Sequence, residues 1–420
     1  MKKHLWIINH YAGSMYFDKG GRHYNFAKYL KQAGYEPVVF CANSKHGPTE
    51  TWFPDDALWH EHTAEEIGVP FVFVKARTYT GNGKQRVLNM LDFYRNVKKA
   101  VKEYAAKHRK PDVIYASSVH PLTLVAGIQL AKRFGVKCVC EVRDLWPESL
   151  VAYGIAGPLN PAVLALRRLE KWIYKKADAV VFTCEGGYDY IVERGWDKQI
   201  PQSKVRYINN GVDLEAFDAN RERFQVEDPD LKDLDTFKVV YTGSIRPANG
   251  VDELVDCAAR LRDAVNVKFL VYGGGPDLNR MQELARRKNL TNLVFKGQME
   301  KKYIPYILSR SSLNVLNYAP NAAVIYRFGS SQNKLFEYLA SGKPILSNVR
   351  IGYSIVDSAG CGLSLERTGT EAYSEAVLKL SKIPADEYQK MCRDARFTAE
   401  EYDFKNLTAK LIEVIEVVGK

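Results

Sequence analysis

Two kinds of apolar pattern alternate along the first half of the chain. Short runs rich in β-branched residues, such as HLWIINHY, EPVVFCAN and PDVIYASS, predict strands. Between them, apolar residues recur at three- and four-residue spacing, which predicts helices. Alternation of this kind is typical of a parallel sheet covered by helices on both faces. The pattern therefore predicts an α/β fold.

The same alternation starts again in the second half. KVRYINNGVDLEAF closes the first series, and a charged stretch at 219–236 reads as a surface connection. A second series follows it, with FKVVYTGS, VKFLVYGGGP, LVFKGQM and SSLNVLNY as strands. We therefore predict two doubly wound, Rossmann-like domains, residues 1–212 and 213–396. Because ligands bind beyond the carboxyl ends of parallel strands, we expect the two domains to face each other across a cleft.

Charge is concentrated in one part of the sequence. The 420 residues carry 60 Lys and Arg against 49 Asp and Glu, a net charge of +11. Residues 75–110 hold eleven basic and two acidic residues, so most of the excess lies in a segment that also predicts a helix. A basic block indicates an anionic partner: nucleic acid, an anionic membrane surface or a phosphorylated ligand.

Cysteine usage and the N-terminus indicate the compartment. The seven cysteines are scattered and form no CxxC pair, which is typical of reduced thiols in a cytosolic protein. The first apolar run ends at Asn9, too early for a signal peptide, and no stretch approaches 18 apolar residues. We expect a cytoplasmic protein, or one on the cytoplasmic face of a membrane.

Three glycine clusters follow predicted strands. They are Gly20 with Gly21, Gly243, and the run 273–275. Glycines let a backbone approach a ligand, and the helix that follows presents N–H groups to a phosphate. None of the clusters completes a GxGxxG or P-loop motif, so a tight turn is the alternative for each one.

The most informative segment is YRFGSSQNKLFEYLASGKPIL, residues 326–346. It predicts a helix from Asn333 that ends at Gly342. Lys334 can offer an ammonium to a phosphate, and Glu337 can offer a carboxylate to sugar hydroxyls. The alternative is an ordinary i,i+3 surface ion pair between the two side chains.

This segment resembles the sugar-nucleotide helix of family 4 retaining glycosyltransferases, whose GT-B fold consists of two facing Rossmann-like domains. The motifs INNGVD, VVYTGS, VYGGGP and LVFKGQM occur in the family's order. EVRDLWPESL together with SSQNKLFEYLASGKP is most similar to a bacterial subgroup of N-acetyl-L-fucosamine transferases in O-antigen and capsule synthesis. The resemblance also implies that residues 397–420 form a helix that crosses back to the first domain.

The resemblance assigns roles to residues of the second domain. Glu337 matches the glutamate that binds the nucleotide ribose, while Gly329 stands where the family has its other glutamate. Arg246 matches the arginine of the diphosphate clamp; Asn249 replaces the clamp's lysine, and Lys334 is our candidate to supply that charge. The other nucleotide-sugar contacts that we expect are Gly20, Gly21, Gly243, Gly274, Gly297, Gln298, Met299, Ser330, Ser331, Asn333 and Leu335.

The acceptor side is expected at the end of a strand of the first domain. Many family members have His-Asp there, and this sequence has Arg143 and Asp144. Arg143 cannot act as a base near neutral pH, and we expect it to contact the acceptor or the membrane. Asp144 or His120 is then the residue that accepts or orients the proton of an acceptor hydroxyl.

The reaction that the resemblance implies is retaining and independent of metal ions and cofactors. Arg246 and Lys334 would stabilise the departing nucleotide diphosphate. The expected donor is a UDP-linked HexNAc or deoxy-HexNAc such as L-FucNAc, and the acceptor is a saccharide on a polyprenyl diphosphate. Lys98, Lys99 and Lys102 would hold the protein on the anionic cytoplasmic face of the inner membrane.

Three other interpretations remain open at this stage. A nucleic-acid-binding protein would explain the basic block, but no recognised nucleic-acid motif is present, and we expect no such partner. An NAD-dependent enzyme would explain the tandem α/β pattern, but the dinucleotide fingerprint is missing. Another GT-B enzyme, such as an epimerase or a transferase with a soluble acceptor, is the third.

Overall fold

The computed structural model describes residues 2–45, 49–81, 83–264, 266–319 and 323–419. The chain divides into two compact units. Unit 1 comprises Met1–Asn209 together with Phe404–Lys420, and unit 2 comprises Asn210–Asp403. The sequence placed the first division at 212 and 213, slightly further along the chain.

Unit 1 contains, among its described residues, an eight-stranded sheet in the order β3-β4-β2-β1-β5-β6-β7-β8. Its strands are β1 (His4–Asn9), β2 (Glu36–Ala42), β3 (Trp59–Ala64), β4 (Val69–Val74), β5 (Val113–Ser117), β6 (Lys137–Val142), β7 (Ala179–Phe182) and β8 (Val205–Tyr207). All neighbours pair in parallel except β3, which is antiparallel to β4. The sequence missed β3, because the mostly polar WHEHTA forms an edge strand without a continuous apolar run.

Within residues 1–209 of unit 1, α-helices lie between the strands. They are α1 (Gly13–Phe17), α2 (Arg22–Gln32), α3 (Lys84–Lys107), α4 (Pro121–Phe134), α5 (Glu148–Ala152), α6 (Pro161–Lys176) and α7 (Gly187–Glu193). Helix α4 begins with a proline and ends before Gly135, which has a left-handed φ of 70°. These are the residues that helix starts and ends favour.

Unit 2 contains a six-stranded parallel sheet, within the described part of the chain, in the order β11-β10-β9-β12-β13-β14. Its strands are β9 (Phe237–Thr242), β10 (Val267–Tyr272), β11 (Leu293–Gly297), β12 (Leu313–Leu316), β13 (Ile345–Ser347) and β14 (Gly362–Ser364). Its helices are α8 (Leu214–Arg223), α9 (Pro229–Lys232), α10 (Val251–Arg260), α11 (Leu278–Arg287), α12 (Ile304–Ser309), α13 (Ala323–Tyr326), α14 (Asn333–Ala340), α15 (Ile355–Ser358), α16 (Thr370–Ser381) and α17 (Ala385–Glu401). The restart of the α/β pattern is therefore a second Rossmann-like unit.

The stretch at 219–236 is not the simple surface connection that its charge suggested. It contains the end of α8 and all of α9, and Leu231 is buried. Asp228 is also buried, with Lys296 Nζ 2.8 Å from its Oδ1, and it accepts a hydrogen bond from Tyr272. Paired charges can be buried where single charges cannot, and hydropathy alone does not reveal such pairing.

The C-terminal segment also differs in detail from the prediction. Helix α17 continues through residue 397 to Glu401 and belongs to unit 2. A separate helix, α18 (Phe404–Val418), belongs to unit 1, where it packs on α2. The return to unit 1 therefore occurs at Phe404 rather than at residue 397.

The structure shows the state of the cysteines and the length and polarity of the helices. All seven cysteines are free thiols. Cys138 and Cys140 lie on the same face of β6, with their sulfur atoms 3.8 Å apart. Among the helices that the structure describes, none combines the length and apolar character needed to cross a bilayer.

Candidate functional site

Three loops meet at the carboxyl edge of the unit 2 sheet. Ile245 N donates to Gly274 O at 2.8 Å, and Gly273 N donates to Gly297 O at 2.8 Å. A Cβ atom on Gly273 or Gly275 would overlap the backbone of the adjacent loop. These two glycines are therefore needed for the loops to pack against each other, which is a structural reason for glycine that differs from the tight turn considered from the sequence.

Several predicted nucleotide-sugar contacts lie on these loops. Gly243 has a φ of 142°, and a Cβ atom there would lie 3.5 Å from Nζ of Lys334. A Cβ atom on Gly274 would lie 3.3 Å from Oε1 of Gln298. Gln298 is exposed and Met299 is half-buried. The structure thus brings the predicted glycines, the predicted lysine and the predicted base-binding loop to one edge of the sheet.

Lys334 and Arg246 provide positive charge at this edge. Lys334 Nζ donates to Oη of Tyr241 at 3.1 Å and lies 4.3 Å from the centre of the Tyr241 ring. Burial, and secondarily the charge of Arg246, lower the pKa of Lys334 to about 7. Arg246 is exposed at the end of the Gly243 loop. Neither cation has a carboxylate within ion-pair distance among the residues that the structure describes.

The loop before α14 is held by hydrogen bonds. Gly329 has a φ of 108°, in the region that favours glycine. Ser330 is buried, and its Oγ lies 2.6 Å from Oη of Tyr318. Asn210 Nδ2 donates to the carbonyl of Ser331 at 2.5 Å and to its Oγ at 3.0 Å. Both predicted serines therefore have a fixed position in the loop.

The predicted residues of α14 have different environments. Asn333 is exposed in the first turn. Leu335 is buried and its backbone N–H donates to Gln332 O, so the structure assigns it to the core rather than to ligand binding. Glu337 Oε1 lies 3.5 Å from Nζ of the exposed Lys301. The i,i+3 ion pair with Lys334 is not formed, because the lysine is directed to Tyr241.

The glycine pair of unit 1 precedes α2. Gly21 has a φ of 92°, and a Cβ atom there would lie 3.1 Å from Cγ of Met15. The N–H of Gly20 donates to the carbonyl of Met15 at 3.2 Å. One of the two backbone amides that were expected to assist phosphate binding is therefore already used within the loop.

A buried ion pair follows this glycine pair. Arg22 Nε donates to Glu141 Oε2 at 2.7 Å, and Ser117 and Tyr115 also donate to this carboxylate. Burial opposes the charge of Glu141, but Arg22, together with His23 and Arg143, outweighs it and lowers the pKa of Glu141 to about 2. Arg22 also donates to the carbonyl of Asn209, at the end of unit 1. The pair therefore joins α2, two central strands and the end of the unit.

His120 and Asp144 differ strongly in exposure. His120 is buried, and a 2.8 Å hydrogen bond joins its Nε2 to Nδ1 of His10. Burial, and secondarily the charge of Arg86, lower the pKa of His120 to about 3, so the ring is neutral. Asp144 is exposed and Arg143 is half-buried, with its N–H donating to Ser118. Of the two predicted bases, only Asp144 has a solvent-accessible side chain.

The basic block lies on and around α3. Lys99 and Lys102 are exposed on this helix, opposite a buried face that includes Phe93 and Val97. Lys98 differs from them, because its Nζ lies 3.8 Å from the centre of the Tyr94 ring and donates to Gln129 at 3.2 Å. Two of the three predicted membrane-contacting lysines are thus directed to solvent.

Two parallel-sheet, Rossmann-like units of this kind define the GT-B class of α/β fold. Sucrose-phosphate synthase from Thermosynechococcus elongatus superimposes with a TM-score of 0.74 at 18% identity, covering 99% of both chains. HepE from Anabaena, solved in complex with UDP-glucose, superimposes with a TM-score of 0.64 at 14% identity, also covering 99% of both chains. These structures establish the fold.

Sequence families identify the domains. Residues 21–211 match the model described as "Glycosyl transferase 4-like domain", and residues 223–398 match "Glycosyl transferases group 1". The chain therefore consists of GT4-type glycosyltransferase domains, as the family resemblance predicted.

Curated bacterial proteins provide more distant relatives. "Putative teichuronic acid biosynthesis glycosyltransferase TuaH" of Bacillus subtilis (strain 168) is 25% identical over 56% of this chain and 60% of its own. "Probable glycosyltransferase WbjE" of Pseudomonas aeruginosa is 25% identical over 61% of this chain and 63% of its own. The chain thus matches less than two thirds of the length of these relatives.

Several residues of these sites were missed from the sequence. Tyr241, Arg22, Glu141 and His10 all lie in or next to strands or helices and looked like ordinary core positions or surface charges. Their partners are more than 90 residues away in the sequence. One signal was available: a charged residue inside the apolar strand sequence VKCVCEV, at Glu141, indicates a buried charge that must be paired.

Proposed function

We propose that the protein transfers a sugar from a nucleotide diphosphate sugar to a lipid-linked saccharide during synthesis of a bacterial cell-surface polysaccharide. The observation that carries the proposal is the pair of cations, Arg246 and Lys334, at the glycine-lined carboxyl edge of unit 2. Arginine and lysine side chains bind phosphate groups through charge-assisted hydrogen bonds, so two such cations at one edge suit a diphosphate. The names of the bacterial relatives and the UDP-glucose complex of HepE support the same reading.

The donor is bound by unit 2 in this proposal. Arg246 and Lys334 contact the diphosphate, and Glu337 accepts hydrogen bonds from the ribose hydroxyls. Gln298 and Met299 hold the base. Gly329 leaves the donor-sugar contact to the backbone of Ser330 and Ser331. The donor is a UDP-linked HexNAc or deoxy-HexNAc such as L-FucNAc.

Transfer proceeds with retention of anomeric configuration. The bond between the anomeric carbon and the diphosphate oxygen breaks with its electron pair on the diphosphate. Arg246 and Lys334 stabilise this developing charge, which is the task that a metal ion has in other transferases. The acceptor hydroxyl attacks from the same face, and its proton passes to the departing diphosphate oxygen.

Asp144 orients the acceptor hydroxyl in this scheme. Its carboxylate is exposed at the carboxyl end of β6, whereas His120 is buried and bonded to His10. Arg143 follows the same strand and contributes positive charge near the acceptor. We therefore prefer Asp144 over His120 as the group that contacts the acceptor.

A nucleotide screen tests the donor. The thermal midpoint is measured with UDP, GDP and TDP and with their common sugar conjugates, since a ligand that binds the folded state raises apparent stability. UDP should raise the midpoint most. A chain stabilised by none of these nucleotides would contradict the proposed function.

Two variants test the donor site itself. Arg246→Ala and Glu337→Ala should each reduce sugar transfer by at least about tenfold, as expected for the loss of one charged hydrogen bond to the transition state. Arg260→Ala is the matched control, because this arginine is also exposed in unit 2 but pairs with Glu371. Full activity in the first two variants would exclude this site.

The membrane contact is tested separately. Lys99→Gln with Lys102→Gln should weaken binding to vesicles of phosphatidylglycerol and phosphatidylethanolamine by about tenfold or more, at about 1 kcal/mol per lysine. Lys379→Gln with Lys382→Gln removes the same charge from an exposed part of unit 2. Equal binding by both double variants would show that the lysines of α3 are exposed to solvent but do not contact the membrane.

A further inference from the structure

Tyr241 connects the cation site to the interior of the unit 2 sheet. It is the fifth residue of β9 and is fully buried. Its Oη accepts a hydrogen bond from Lys334 Nζ at 3.1 Å and donates one to the carbonyl of Ser244 at 2.8 Å. A single phenol therefore fixes both the lysine and the turn that follows Gly243.

This arrangement removes freedom from a side chain that normally has much of it. A lysine side chain has about 2 kcal/mol of rotamer entropy, which a phosphate would otherwise have to overcome on binding. The buried ring of Tyr241 cannot move aside, and it contacts the ammonium both through Oη and through its face. Preorganisation of this kind increases affinity without adding a contact to the ligand.

We propose that Tyr241 is a positioning residue, whose phenol holds the Lys334 ammonium beside Gly243 ready for the diphosphate of the donor. This inference rests on the proposed function. Tyr241 itself contacts Lys334 and Ser244 and acts on the ligand only through them. The role is distinct from core packing, which a phenylalanine at the same position would fulfil equally well.

The surroundings make Tyr241→Phe a clean test. The variant keeps the ring but removes Oη. The Ser244 carbonyl retains a second donor, because Asn249 Nδ2 donates to it at 2.6 Å. The turn therefore stays in place while Lys334 loses its acceptor. Tyr272→Phe is the matched control on the adjacent strand β10, where Oη donates to Asp228 and not to Lys334.

Calorimetric titration with UDP and with uridine measures the effect. Tyr241→Phe should weaken UDP binding by about fivefold to tenfold, as expected for the loss of one ordinary hydrogen bond. Uridine binding should be unchanged, because uridine has no phosphate; this also confirms that the variant is folded. Tyr272→Phe should bind both ligands as the wild type does.

A double-mutant cycle shows whether Tyr241 acts through Lys334. In a Lys334→Met background, Tyr241→Phe should cause no further loss of UDP affinity. The same loss in both backgrounds, or a parallel loss of uridine binding, would overturn the inference in favour of a purely structural tyrosine. An unchanged UDP affinity in Tyr241→Phe would also overturn it.

The two proposals fail separately. If Lys334→Met weakens UDP binding but Tyr241→Phe does not, the donor site stands and only the positioning role is lost. If Lys334→Met itself has no effect on UDP binding, the diphosphate site is misplaced. Each result therefore identifies which statement is wrong.

Discussion

Charged side chains at the carboxyl edges of the two sheets differ in whether they have a partner of opposite charge. In unit 1, Arg22 and Glu141 are buried together, and their hydrogen bonds are completed by strands and by the end of the unit. In unit 2, Arg246 and Lys334 have no carboxylate partner in the part of the chain that the structure describes. Paired, buried charges specify a structure, whereas cations that lack an anion are available to bind one.

The largest effect is expected when the Arg22–Glu141 pair of unit 1 is broken. Arg22→Met leaves the Glu141 carboxylate buried without the guanidinium that is hydrogen-bonded to it, which should destabilise unit 1 by about 3–5 kcal/mol. Urea unfolding monitored by circular dichroism measures this loss. Arg246→Met is the matched control and should leave the unfolding midpoint unchanged. If Arg22→Met left the urea midpoint unchanged, the Arg22–Glu141 pair would not be what stabilises unit 1.

The second prediction concerns another buried carboxyl of unit 1. Burial raises the pKa of Glu170 to about 8, although Tyr174 and Tyr190 donate hydrogen bonds to it. Arg194 and Glu148 are the charged groups that affect it from other elements. Because the folded state retains a proton that the unfolded chain releases, this group's stabilisation is lost as pH rises towards 8.

Glu170→Gln should therefore flatten the pH dependence. Between pH 5 and pH 8 the stability of the wild type should fall by up to about 1.4 kcal/mol per pH unit more than that of the variant. Urea midpoints across this range measure the difference. The exposed Glu375→Gln serves as the control for removal of one carboxylate. Parallel curves for wild type and Glu170→Gln would refute the prediction.

The smallest expected effect concerns the cation Lys334 of unit 2. Burial and Arg246 lower the pKa of Lys334 to about 7, so the ammonium form is lost as pH rises through this value. UDP affinity should then fall roughly fivefold between pH 7 and pH 8, in proportion to the protonated fraction. In Lys334→Met, the UDP affinity should change with pH only through the titration of UDP itself. The two proteins should differ in slope, and identical slopes would argue against a titrating lysine in the site.

Much of the fold followed from local pattern. The glycine that ends α4, the proline that begins it and the apolar strands β1, β2 and β5 act through neighbouring residues, so they were predictable. The polar edge strand β3 was not, because its place is set by pairing with β4. Within the candidate site, Lys334 and Glu337 could be identified by their motif, but Tyr241 could not.

The sequence by itself determined two Rossmann-like domains, the motif at 326–346 and the concentration of charge at 75–110. Those features depend on periodicity and composition, which are local properties of the chain. Only the tertiary structure decided that Lys334 is directed to Tyr241, that Leu335 belongs to the core and that His120 is buried against His10. These outcomes depend on contacts between distant segments, and such contacts set burial, pKa and orientation.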